Sequence, residues 1–119
     1  MYLYVELWNV TQKWMDLSIE ERRDFFNNLG PEIQKLMDQG VEVTGWALND
    51  EHTPYRSDYR YMAVWKVPTL DLVEALESSV SDAGWHDYFT QVNSRGQIIP
   101  FNKAIENLIN LENTTSYNA

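Results

Sequence analysis

The 119-residue chain carries eighteen acidic against nine basic side chains, a formal net charge of −9, and no cysteine. That balance excludes the clustered Lys and Arg needed to grip a phosphate backbone, and the lack of cysteine excludes disulfides, thiolate chemistry and Cys-ligated metal sites. With 44% hydrophobic and 13% aromatic residues, and no apolar run near the roughly 18 residues of a membrane span, the composition is that of one globular domain over residues 1–111, with a frayed tail over 112–119.

Met1 to Val10 reads as a first strand with Tyr2, Tyr4, Glu6 and Trp8 on one face and Leu3, Val5, Leu7 and Asn9 on the other. The chain is expected to begin inside the sheet. Its Met-Tyr-Leu-Tyr start has no basic region or signal-peptide core, so a cytoplasmic location is the expectation. Thr11 to Leu17 reads as a connection anchored by Trp14 and Met15.

Ser18-Ile19-Glu20-Glu21 has the form of a capping box, in which Ser18 accepts from a first-turn N–H and Glu21 reaches back to the cap. Phe26, Leu29, Ile33, Leu36 and Met37 then recur at helical spacing. Gly30-Pro31 interrupts that run and predicts a kink or brief restart, and Gly40 predicts the helix end.

Val41 to Asn49 is the second predicted strand, with Val41, Val43, Gly45 and Ala47 on one face and Glu42, Thr44, Trp46 and Leu48 on the other. Gly45 marks a bulge or a close approach. After a polar loop over 49–58 comes the clearest strand, Tyr59 to Val67, apolar on both faces as befits an inner strand. Thr69 caps a second helix with Leu72, Val73, Leu76, Val80 and Ala83 at helical spacing, closed by Gly84. Trp85 to Phe89 reads as an aromatic turn and Thr90 to Asn93 as a short fourth strand. Ser94-Arg95-Gly96 reads as a turn, Gln97 to Phe101 as a possible extension of the pairing, and Asn102 to Leu111 as a small amphipathic helix.

The order β-α-β, β-α-β predicts an α+β fold: a ferredoxin-like βαββαβ unit with a four-stranded antiparallel sheet, two helices on one face and a short C-terminal helix. The second sheet face would then be bare and apolar. A two-fold homodimer with sheets face to face covers it most economically.

The Ala63-Val64-Trp65-Lys66 strand end, the helix from Thr69 to Ala83 and His86 beyond it resemble the dimeric α/β-barrel superfamily, which includes antibiotic-biosynthesis-monooxygenase-like proteins. Tyr4 to Asn9 and Gly84 to Phe89 also look like segments of small uncharacterised bacterial proteins of that type. The resemblance implies a ligand pocket between sheet and helices, and no cofactor, as in relatives that oxidise polycyclic phenols unaided. In haem-degrading relatives an Asn, a Trp and a His act together. Asn9 and His86 match two of these approximately, but Leu76 and its neighbours stand where the Trp would be.

Read from the residues themselves, His86 between Trp85 and Asp87 is a candidate general base, or else a helix-terminal cap. Glu6 between Tyr4 and Trp8 is a second candidate: buried without a partner it would hold its proton tightly, and paired it would be a plain ion pair. Asn9 would orient the substrate. Trp8, Trp46, Trp65 and Trp85 could wall a pocket for a flat ligand, or serve as core and interface anchors. Tyr88 joins them, and the loop residues His52 and Arg56 would form a rim or lid. His52 near Asp50 and Glu51 lacks ligand spacing, so no metal is expected. The expected function is binding of a small aromatic or apolar metabolite, with cofactor-independent oxygenation or isomerisation as its chemistry. The alternative is a non-catalytic assembly module, and neither reading involves nucleic acid or membrane.

Overall fold

The alternation of β1 (Tyr2–Val10) sets the polarity of the sheet in the computed structural model, which describes residues 1–112. Tyr4, Glu6 and Trp8 are buried, whereas Leu3 on the opposite face is exposed. Thr11 caps a single helical turn, α1 (Gln12–Met15). Of the two anchors expected there only Trp14 is buried; Met15 is 52% exposed, because one turn of helix can turn only one of two adjacent side chains inward.

Ser18 accepts from the Glu21 N–H at 3.1 Å while the Glu21 carboxylate accepts from the Ser18 N–H at 3.0 Å, so the capping box forms in full at the start of α2 (Ile19–Asp38). The helix runs through Pro31 as one element instead of restarting. Pro31 leaves the Asn27 carbonyl without its helical partner, but the apolar phase on both sides keeps the helix against the same neighbours. Past its end, Gly40 adopts φ +107, with Pro68 Cγ only 3.1 Å from where a Cβ would stand. A side chain there would be strained and crowded.

β2 (Glu42–Leu48), β3 (Tyr61–Val67) and β4 (Phe89–Gln97) complete an antiparallel sheet of order β2-β3-β1-β4. α3 (Leu70–Asp82), capped by the Thr69 hydroxyl, shares one sheet face with α2. That is the ferredoxin-like arrangement, with α4 (Trp85–Tyr88) inserted before β4 and α5 (Phe101–Ile109) after it. The Tyr4 hydroxyl donates to Glu77 at 3.1 Å and Arg95 bonds the same carboxylate at 2.8 Å, which ties α3 to the two strands beneath it.

Two strand expectations need correction. Ser94-Arg95-Gly96 is no turn: these residues pair with Val5, Tyr4 and Leu3 inside a nine-residue β4, because the length of β1 offers partners all the way to Tyr2. In β2 the register shifts between Val43 and Gly45, so Thr44 has no opposite number. The extra residue flips the phase, placing Trp46 opposite Ala63 and Leu48 opposite Tyr61, on the helix-covered face with Val43. The predicted tail beyond Glu112 lies outside the described residues.

The core gathers Tyr4, Trp8, Val67, Val73, Leu76 and Trp85 about Ala63 and Trp65 of β3. Trp65→Ala should therefore cost about 3–5 kcal/mol in a denaturant titration; a change near zero would show that its side chain is not core.

Candidate functional site

β1 and β3 lie side by side with Glu6 opposite Ala63, so the smallest side chain of β3 leaves room beside the Glu6 carboxylate. α2 passes over this spot with Phe26, Leu29, Ile33 and Met37. Together with Val43, Trp46, Trp65, Val80 and Trp85 they enclose an inner chamber of about 250 Å³. Glu6 is the only charged side chain on its wall; Gln34 lies at the α2 side.

Glu6 is 6% exposed and is the only charged residue buried to this degree among the described residues. Trp65 Nε1 donates to one of its oxygens at 2.6 Å, and Gln91 Nε2 donates to the other at 2.8 Å. Trp85 Nε1 in turn donates to the Gln91 amide oxygen at 2.7 Å, which fixes the amide so that its N–H faces Glu6. Burial, the largest influence, raises the Glu6 pKa above its usual value of 4.5; the hydrogen bonds from Gln91 and Trp65, and then the charge of His86, pull it back. The result is a desolvated carboxylate whose two oxygens each accept one protein hydrogen bond and keep lone-pair capacity for a ligand. Such a group can take a proton from a bound hydroxyl.

A second, outer chamber of about 400 Å³ adjoins the first, lined by Trp8, Val10, Trp14, Leu48, Tyr61 and Phe89 among others. Phe26 and Trp46 line both chambers. Trp46 meets the Trp8 ring edge-on at 5.0 Å, while Tyr61 stacks on Trp8 at 5.8 Å and Trp85 meets it at 5.5 Å. These arrangements are favourable for aromatic quadrupoles and leave ring faces toward open space.

Of the residues singled out from sequence, Glu6, Trp8, Trp46, Trp65 and Trp85 come together here. His86 does not join them: it is exposed on α4 and lines neither chamber. Asn9 has both ends of its amide engaged by the loop before β3, donating to the Asp58 carbonyl and accepting from the Arg60 N–H, each at 2.8 Å. It splices loop to sheet. Arg56 spends its guanidinium on the carbonyls of Asn49, Asp50 and Ser57, and exposed His52 donates its backbone N–H to Asp50 in the same loop. The loop is stitched to itself, away from Glu6. Tyr88 packs edge-on against Trp14 and Phe25, on the side of an acidic groove between α2 and α3. Among the described residues, no three His, Asp or Glu side chains converge as metal ligands would. Neither histidine lines a chamber, so no imidazole faces either space.

Sequence reasoning missed Gln91 and the double role of Phe26. Gln91 had a signal, since an amide at an inward position of β4, opposite Trp8, must find partners. The role of Phe26 had none, because helical spacing assigns it to an apolar face without revealing a gap beneath.

A raised pKa means that the folded chain holds the Glu6 proton more tightly than the unfolded chain. Stability is then highest with Glu6 protonated and falls as pH rises past the unfolded value near 4.5 toward the folded one. The melting temperature of the wild type should accordingly fall relative to that of non-titrating Glu6→Gln over that rise and then level off. A pH-independent difference would show that Glu6 titrates alike in both states.

A 44-residue stretch is 43% identical to 6-hydroxynicotinate 3-monooxygenase of Pseudomonas fluorescens, covering 37% of this chain and 11% of that enzyme. In fold, the chain is similar to a candidate chlorite dismutase (TM-score 0.67, 11% identity), over 83% of this chain and 44% of the other. The matched part of the chain thus spans less than half the length of both proteins. A dimeric protein of unknown function with a ferredoxin-like fold from Bacteroides fragilis also matches, with TM-score 0.49 and 14% identity over 82% of this chain and 95% of its own. At 11% identity the match with TM-score 0.67 speaks for the fold alone. The family model that matches residues 1–111 covers nearly the whole chain, which therefore belongs to the family of unknown function DUF6616.

Proposed function

We propose that this protein binds a small aromatic metabolite bearing one hydroxyl group in the inner chamber, with Glu6 as the base that takes the hydroxyl proton. The observation that carries this reading is the single buried carboxylate on an otherwise apolar, tryptophan-rich wall. In the step proposed, the ligand O–H bond breaks, the proton passes to a Glu6 oxygen, and the electron pair stays on the ligand as a phenolate or enolate. That anion is the common starting point for cofactor-independent oxygenation and for isomerisation. The partial match to the monooxygenase adds 6-hydroxynicotinate to the compounds worth testing.

This reading moves the acid–base role from His86 to Glu6 and leaves Asn9 a structural part. Calorimetric titration with 2-naphthol should give saturable binding to the wild type, a loss of about tenfold or more in Glu6→Gln, and little change in His86→Ala. A comparable loss in His86→Ala would return the base to the histidine.

The second part of the proposal concerns assembly. On the bare sheet face Leu3 is 38% and Val92 44% exposed, and Val5, Leu7, Met62 and Val64 are only partly covered. α5 has no buried residue, and its Phe101, Leu108 and Ile109 are 81%, 68% and 68% exposed. We infer that a two-fold homodimer covers this face. Light scattering should give twice the chain mass for the wild type and a monomer for Val5→Arg; a monomeric wild type would refute the dimer.

A further inference from the structure

The two chambers differ in chemistry as well as position. The inner one has a carboxylate on its wall; the outer one has no charged side chain, and the Tyr61 hydroxyl and the indole N–H groups of Trp8, Trp14 and Trp46 are its only polar side-chain groups. Trp46 and Phe26 stand between them as walls of both. Neither is locked in the core: Trp46 is 52% and Phe26 39% exposed. Trp46 owes this place to the register shift after Val43, which turns it onto the helix-covered face one residue past Gly45. The inner chamber, at about 250 Å³, falls short of the roughly 300–1,000 Å³ of typical small-molecule sites. Joined to the outer chamber of about 400 Å³, it falls within that range.

Resting on the Glu6 reading above, we propose that Trp46 and Phe26 form a movable partition, and that the ligand class is elongated. Its hydroxyl-bearing head sits at Glu6, and an apolar tail displaces the Trp46 ring and runs into the outer chamber toward Leu48. Trp46 is thereby the residue that sets ligand length. A head with one hydrogen-bond donor satisfies the free acceptor capacity of Glu6, and a tail without polar groups matches walls that are mostly apolar. Rotation of an indole already half in solvent loses less packing than opening a closed core would. A ligand charged at its outer end would find no counter-charge there and is disfavoured.

The test uses 4-ethylphenol and 4-hexylphenol, titrated calorimetrically into the wild type and into Leu48→Trp. Leu48 is 66% exposed at the end of β2, so the larger ring can be accommodated while narrowing the outer chamber. The readout is the ratio of the two affinities within each protein, with circular dichroism confirming that both are folded. Each buried methylene is worth about fourfold, so the wild type should favour 4-hexylphenol by on the order of a hundredfold. In Leu48→Trp that preference should collapse. An equal preference in both proteins would overturn the proposal, because the tail would then lie elsewhere. Wild-type binding of 4-ethylphenol with no gain for 4-hexylphenol would also overturn it, leaving the Glu6 site intact. If neither phenol binds, both readings fall.

Discussion

Everything at the candidate site depends on the desolvation of one carboxylate. β1 pairs on both sides, with β3 and β4, so its inward face is sealed by neighbours and by the helices above. Glu6 on that face is only 6% exposed and largely withdrawn from bulk water. Glu6 is tolerated because two neutral donors, an indole and an amide, meet its two oxygens, and a second indole holds the amide in place. Neutral donors relieve a buried anion only in part. Burial still outweighs them, leaving a group more basic than a surface carboxylate. The tryptophans are therefore more than packing, since two of them donate to the network that holds the charge.

The bulge in β2 has a comparable reach. A strand of strict alternation would turn Trp46 toward the bare face and leave the region above Trp8 open. One unpaired residue, Thr44, reverses this and brings the indole against Trp8 at 5.0 Å. The same shift leaves the edge strand irregular, which discourages further strands from adding there. A single backbone irregularity thus divides an apolar space that α2 and the sheet would otherwise share as one.

Much of the fold was legible from residues alone, because the signals were local. The Ser18-Glu21 box, the Thr69 cap, Gly40 and Gly84 after helices, and the dense β-branched and aromatic run of β3 each announce a backbone state that neighbours a few positions away enforce. Strand ends were less legible. Ser94-Arg95-Gly96 has turn-forming composition, yet it pairs along β1, since a long partner strand supplies ladder bonds that outweigh local preference. At the site, Glu6 and the tryptophans could be singled out because an acid between aromatics at inward phase is unusual. The late histidine drew attention for its chemistry, but its exposure is set by how α4 sits after Gly84, which no spacing rule reports.

The sequence by itself determined the order of the main strands and helices, the helix caps and the alternation of β1 and β3, and hence which aromatic side chains share a face with Glu6. These follow from periodicity and from backbone chemistry within a few residues. Only the tertiary structure decided which donors meet Glu6, that Asn9 is consumed by a loop, that Trp46 faces inward, and that a divided space remains beneath α2. Those outcomes depend on strand register and on hydrogen bonds between residues 49 to 85 positions apart, such as Gln91 against Glu6, where the distance that matters is across the sheet and not along the chain.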